Sequence, residues 1–187
     1  MWVYTKLIVL RINSMNSIEE KLKGGHPNSL GKTLEVVKEV LASPHLFEAL
    51  FDCYHSEDEI VRLRTSNAIK RLCKERPELL HPYIPQLIEE ISTINQASTQ
   101  WTLAQLFFML KPAMCQDQIA QSIRIMKTNL TNSKDWIVIN QTIETLAQWA
   151  QEDENLREWL IPKLKNWKKD PRKSVSHRAE KWLKTFG

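Results

Sequence analysis

Residues 58–72 read DEIVRLRTSNAIKRL, with Val61, Thr65, Ile69 and Leu72 on one face of a helix. The pattern returns three times. Moving on by 37 residues meets Ser98, Thr102, Leu106 and Met109. A further 40 meets Val138, Thr142, Leu146 and Trp149, and a further 37 meets Val175, Ala179, Leu183 and Phe186. Five residues before each leading position stand Ser56, Thr93, Ser133 and Asp170, all good turn or helix-cap residues. Helical spacing alone produces some agreement by chance. Four registers with near-constant offsets and no gap inside the unit are harder to obtain that way.

A period near 40 built from two helices is the sequence sign of an α-solenoid. A lone helix pair cannot bury its apolar stripe, whereas stacked pairs share one core. The rest of the chain agrees. No stretch alternates with period two, and apolar residues recur at three and four. Leu34, Val37, Val40 and Leu41 form one face of a helix starting near Gly31 or Lys32. Pro44 suits the first turn of the next, with Ser43 as its N-cap and Leu46, Phe47, Leu50 and Tyr54 as its face. The helix over 58–72 stops at Arg76-Pro77, because proline disfavours helix in the residue before it. Helices are then predicted at about 81–93, 98–110, 115–130, 135–151, 154–168 and 173–186. With 187 residues, only 4 Gly and 8 Pro, there is room for one helical domain and little for loops. Residues 1–14 are expected to be either a non-native or loosely attached extension ahead of an initiator at Met15, or an element packed on the domain; residues 15–187 form the domain.

VRLRTSNAIKRL at 61–72 and DPRKSVSHRAEKWLKTF at 170–186 resemble the second helix of HEAT repeats and the turn before it. The resemblance covers about residues 43–187. ERPELLHPYIPQLIEEI resembles the turn and first helix of such a repeat, where Pro82 and Pro85 sit in a first turn. It implies an all-α, right-handed solenoid of about four HEAT-like pairs, with helix 31–42 as an N-terminal cap. HEAT repeats usually carry an aspartate in the inter-helix turn and an arginine just after the valine. Asp170 matches the first and Arg62 the second, but Ser56 and Ser176 hold the partner positions, so a regular ladder is not expected. The family implies a protein-binding scaffold; a smaller group resembles DNA alkylation-repair glycosylases. Fold alone does not choose between them.

At 100° per residue, the face opposite the core carries Leu63, Asn67, Lys70 and Lys74. The family resemblance makes this the concave, partner-binding face. Its equivalents are Gln100, Ala104, Phe107 and Lys111, then Asn140, Glu144, Ala147 and Gln151, then His177, Lys181 and Lys184. Such a surface suits a peptide or protein, with Phe107 as aromatic anchor and Ala104, Phe107 and Ala147 as a shallow apolar patch. A helix face kept polar only for solubility has the same composition.

Charge is uneven along the chain. Residues 157–187 hold ten basic and three acidic side chains, net +7, while residues 1–156 hold sixteen and nineteen, net −3. Five of the seven tryptophans, Trp136, Trp149, Trp159, Trp167 and Trp182, lie in the last third. Lys163, Lys165, Lys168, Lys169, Arg172 and Lys173 are therefore candidates for a nucleic-acid backbone. A solubilising end cap has the same composition, and Trp149 and Trp182 fall on or beside core registers.

No catalytic motif appears. SLGKT at 29–33 lacks the first glycine of a phosphate loop and reads better as a helix start. Glu57, Asp58 and Glu59 sit where acids complement a helix N-terminus. A glycosylase-like site would have only Asp135 and Glu144 to offer. Cys53, Cys73 and Cys115 are odd in number and widely spaced, which suits buried thiols in a reducing compartment; Cys53 and His55 lack a second ligand pair for zinc. Leu7–Ile12 is too short to span a bilayer. The expectation is a cytoplasmic, non-catalytic binding module without metal or cofactor.

Overall fold

A computed structural model describes residues 17–26 and 29–187. The question of the extension at residues 1–14 falls outside them. All regular structure among the described residues is helical. None of these helices is long and apolar enough to cross a membrane. The chain divides into two compact units, one ending at Tyr83 and one beginning at Ile84.

The first unit contains α1 (17–22), α2 (Thr33–Ala42), α3 (Phe47–Asp52) and α4 (Glu59–Glu75). Helix α4 starts where its sequence supplies a cap: Asp58 Oδ1 accepts from Ile60 N at 2.8 Å, filling a donor the helix leaves open. Ser56 Oγ accepts from Asp58 N at 3.2 Å, and Arg62 Nη1 donates to Ser56 O at 2.6 Å. The helix ends at Arg76, which leaves the helical region (φ −143°, ψ 67°) ahead of Pro77. Ser43 does not cap the following segment; Pro44 opens a short 3-10 turn instead, and no Ser43 side-chain bond forms. The core collects Val36, Val40, Phe47, Leu50, Phe51, Tyr54, Val61, Ala68, Ile69 and Leu72. Tyr83 lies 4.9 Å from the ring of Phe47 and 4.6 Å from that of Phe51, distances at which aromatic pairs add to area burial.

Arg64, one residue short of the Thr65 register, is 1% exposed. Its guanidinium meets main-chain oxygens. Nη1 donates to Leu22 O, Lys23 O and Gly24 O at 2.7, 3.1 and 2.6 Å. Nη2 reaches His26 O at 3.3 Å and Nε reaches Ser29 O at 3.2 Å. The first three acceptors lie at and just after the end of α1, where unpaired carbonyls concentrate negative dipole. Gly31 closes over the same group. Its φ is +50°, and a Cβ there would lie 2.8 Å from Arg64 Cζ, so only glycine fits both the backbone and the space.

The second unit contains α5 (Ile84–Glu89), α6 (Ala97–Leu110), α7 (Gln116–Asn132), α8 (Trp136–Trp149), α9 (Glu154–Trp167) and α10 (Lys173–Phe186). The single helix expected at 81–93 is shorter, flanked by 3-10 turns at His81–Tyr83 and Ile91–Thr93. Pro82 and Pro85 each remove a backbone donor there. Helix α8 packs on α6, α7, α9 and α10. Asp135 caps it, accepting from Ile137 N at 2.8 Å and Val138 N at 3.0 Å; Asp153 caps α9 through Leu156 N at 2.9 Å.

The repeating register is visible in burial. All four register residues of α4 and of α8 are buried, as are Ser98, Thr102 and Leu106 of α6 and Val175 and Ala179 of α10. Met109, Leu183 and Phe186 are half-buried. The turns repeat as well. Ser133 Oγ accepts from Asp135 N at 3.1 Å and Asp170 Oδ1 from Arg172 N at 2.9 Å, two residues on, as Ser56 does with Asp58. Thr93 breaks the rule, its hydroxyl donating back to Glu90 O at 2.7 Å.

Candidate functional site

Two of the expected partner residues, Lys70 and Lys74, share an open groove in the first unit. One wall is α4, with Lys70, Arg71, Lys74 and Glu75. The other is α2, with Leu34, Val37, Lys38 and Leu41. The space between them is about 400 Å3. Residues 34, 37, 38 and 41 fall on one helical stripe, as do 70, 71 and 74, so each helix offers a continuous edge. The floor is apolar, and the rims carry Lys38, Lys70, Arg71 and Lys74 against the one carboxylate of Glu75. Burial, then the charges of Lys74 and Arg71, lower the Lys70 ammonium from its ordinary value. An anion entering the groove would reverse the last two effects. Asn67 supports this wall: its Oδ1 accepts from Arg71 Nε at 2.8 Å.

The groove corrects the reading of α2. Leu34, Val37, Val40 and Leu41 were expected to form its buried face. Val37 and Val40 are buried, together with Thr33 and Val36, but Leu34 is 46% exposed and Leu41 half-exposed. The apolar arc of α2 is wider than α4 covers.

In the second unit the expected partner face is largely spent on packing. Phe107 is wholly buried, as are Ala104 and Ala147, and Asn140 is only 4% exposed. The anchor and the apolar patch are therefore core. The reason is legible in ASTQWTLAQLFFML: α6 carries apolar residues round most of its circumference, and such a helix is covered on more than one side. Thr145 of α8 donates to Ala104 O at 2.8 Å, which shows how closely the two helices approach. Phe108, the next residue, is the exposed one. Gln100 is half-buried. Lys111 lies 3.1 Å from a Glu152 carboxylate oxygen and 5.5 Å from the Trp149 ring.

Glu144 and Lys181 do meet, but within a cluster that fastens α10. Glu144 accepts from Arg178, from Trp182 Nε1 at 3.0 Å and from Lys181 Nζ at 3.4 Å. Burial pushes the carboxyl up; the hydrogen bonds from Trp182 and Arg178, with the charges of Arg178 and Lys181, outweigh it and hold it low. His177 is exposed on the same helix. Sequence reasoning missed Arg178 and Trp182 as the partners of Glu144, since residues 34 and 38 positions apart carry no local signal.

The basic C-terminal residues divide. Lys163 sits 5.7 Å from the Trp159 ring, and Lys127 takes the same ring at 4.5 Å. Lys168 lies 3.7 Å from Glu180. Arg172 is held by Asp170 and donates through Nη1 to Lys134 O at 2.7 Å, joining the turns before α8 and α10. Lys165, Lys169 and Lys173 are exposed. Trp149 and Trp182 are buried, as their registers require, whereas Trp136 is 48% exposed.

The carboxylates weighed for catalysis have structural duties. Asp58 and Asp135 cap helices and Glu144 anchors α10. Cys53 donates to Ala49 O at 3.3 Å, and burial pushes its thiol up to about 12. No family model, curated protein or solved structure matches the chain.

Proposed function

We propose that the chain is a non-catalytic protein-interaction module of the cytoplasm, built as a short HEAT-like solenoid. The architecture is supported by the register that recurs at 37, 40 and 37 residues and, within the second unit, by the packing of α8 on both α6 and α10. Alternate helices in contact are what stacked pairs require. The binding role rests on one observation: Lys70 and Lys74 line an open groove whose floor is Leu34, Val37 and Leu41. Concave apolar surface rimmed by polar and charged groups is the make-up of an interaction groove. Affinity capture from native lysate, with and without nuclease, tests this. Partners should survive nuclease; loss of every partner would overturn the reading.

A second reading, nucleic-acid binding, is favoured by Trp136. It is exposed beside the Lys134 turn, to which Arg172 is tied. An exposed indole among lysines can stack a base while the cations hold phosphate. Against it, Asp170 neutralises Arg172 and the Trp159 ring is already occupied by Lys127 and Lys163.

A further inference from the structure

We infer that the groove between α2 and α4 docks an amphipathic helix of a partner protein, with its apolar stripe on Leu34, Val37 and Leu41 and its acidic flank on Lys38, Lys70 and Lys74. This rests on the reading of the chain as an interaction module and names the class of partner. Three observations carry it. First, α2 presents more apolar surface than its own unit covers, leaving Leu34 46% exposed. Second, none of Lys38, Lys70 and Lys74 forms an ion pair among the described residues, whereas Lys21, Lys23, Lys111, Lys168, Lys181 and Lys184 each do. Third, the one cation of the α4 wall that is held, Arg71, is turned by neutral Asn67 rather than by a carboxylate, so the wall's three cations outnumber its one acid, Glu75.

The shape favours a helix. The groove's two edges are themselves helix stripes of residues three and four apart, and a third helix meets such edges by seating its ridge between them. The seven steps from Leu34 to Leu41 span about 10 Å at 1.5 Å per residue, about two turns of the occupant. A volume of about 400 Å3 admits inserted side chains rather than a whole helix. Charge then selects the occupant's sign. Residues 1–14 of this chain contain Lys6 and Arg11 and no acid, so their charge is the wrong one.

The test uses the full chain and a fluorescein-labelled 18-residue peptide, with leucines at helical spacing flanked by glutamates. Comparison probes are the same peptide with lysines for the glutamates, a proline-broken version, poly-glutamate and a single-stranded oligonucleotide. The acidic helical peptide should bind, and K70E/K74E or Leu34→Asp should each weaken it at least tenfold with circular dichroism unchanged. Binding that survives these substitutions would overturn the proposal. So would equal binding of poly-glutamate, of the broken peptide or of the oligonucleotide. Self-association of the chain that depends on Leu34 and Lys70 would assign the groove to a second copy and also overturn it. Nuclease-resistant partners that are retained by K70E/K74E would remove the groove while leaving the interaction module standing.

Discussion

Arg64 carries a full charge at 1% exposure, with its five acceptors all main-chain oxygens 35 to 42 residues earlier. Replacing it with methionine would fill much of the space but orphan those buried carbonyls. Each unsatisfied acceptor costs on the order of 1–3 kcal/mol, with partial relief from water. Arg64→Met should therefore lower stability by about 2–4 kcal/mol in urea unfolding. A loss below about 1 kcal/mol would show that the loop is held by other means. Phe107 gives a second prediction at this scale. Because it is core, Phe107→Ala should cost about 3–5 kcal/mol of stability rather than act as a selective binding variant. Phe107 and Arg64 mark where sequence legibility ends. Periodicity told the core of α4 correctly at Val61, Thr65, Ile69 and Leu72. It could not see Arg64, whose partners are backbone and so leave no residue pattern.

Helices were legible because their signals are local. The stop at Arg76-Pro77 and the spacing of apolar residues act within a few positions; the cap of α4 falls on Asp58, two residues after the Ser56 read as a cap or turn residue. Which faces remain open was less legible, because that depends on neighbours distant in sequence. Helix α6 was assigned an exposed face from one side of its wheel, although its other side was also apolar. Helix α2 erred the other way, with Leu34 and Leu41 left outside the core. Helix α10 illustrates how an element is attached. Glu144 holds it through Arg178, Lys181 and Trp182. A carboxyl held below its ordinary value of 4.5 contributes stability above that value. The contribution is lost as pH falls through the lowered one. Amide exchange over Lys173–Phe186 should therefore lose protection in acid before α8 does. Glu144→Gln should reproduce that loss at neutral pH, by about 1–3 kcal/mol. Unchanged exchange in the variant would mean that apolar packing alone keeps α10 in place.

Across the whole molecule, charge is divided between a final segment of net +7 and a remainder of net −3. Attraction of polyanions to the basic end should be long-range and non-specific, and should weaken steeply between 50 and 200 mM salt. Filter binding of single-stranded DNA across that range would measure it. Binding that persists, and that falls with Trp136→Ala, would instead support the nucleic-acid reading. Partner choice was not legible because the groove arises only when α2 and α4 are brought together. The contact between Arg64 and residues 22–29 has a different kind of consequence, one of mutational tolerance. Recognition through carbonyl oxygens is blind to side-chain identity, so Lys23, His26 and Ser29 can change without changing what Arg64 holds, whereas Leu22 is fixed by its own burial in the core. Gly31, under the guanidinium, has no such freedom. A saturation scan should find a permissive loop locked by one irreplaceable glycine and one irreplaceable arginine. The segment can drift to new surface chemistry while its path stays fixed.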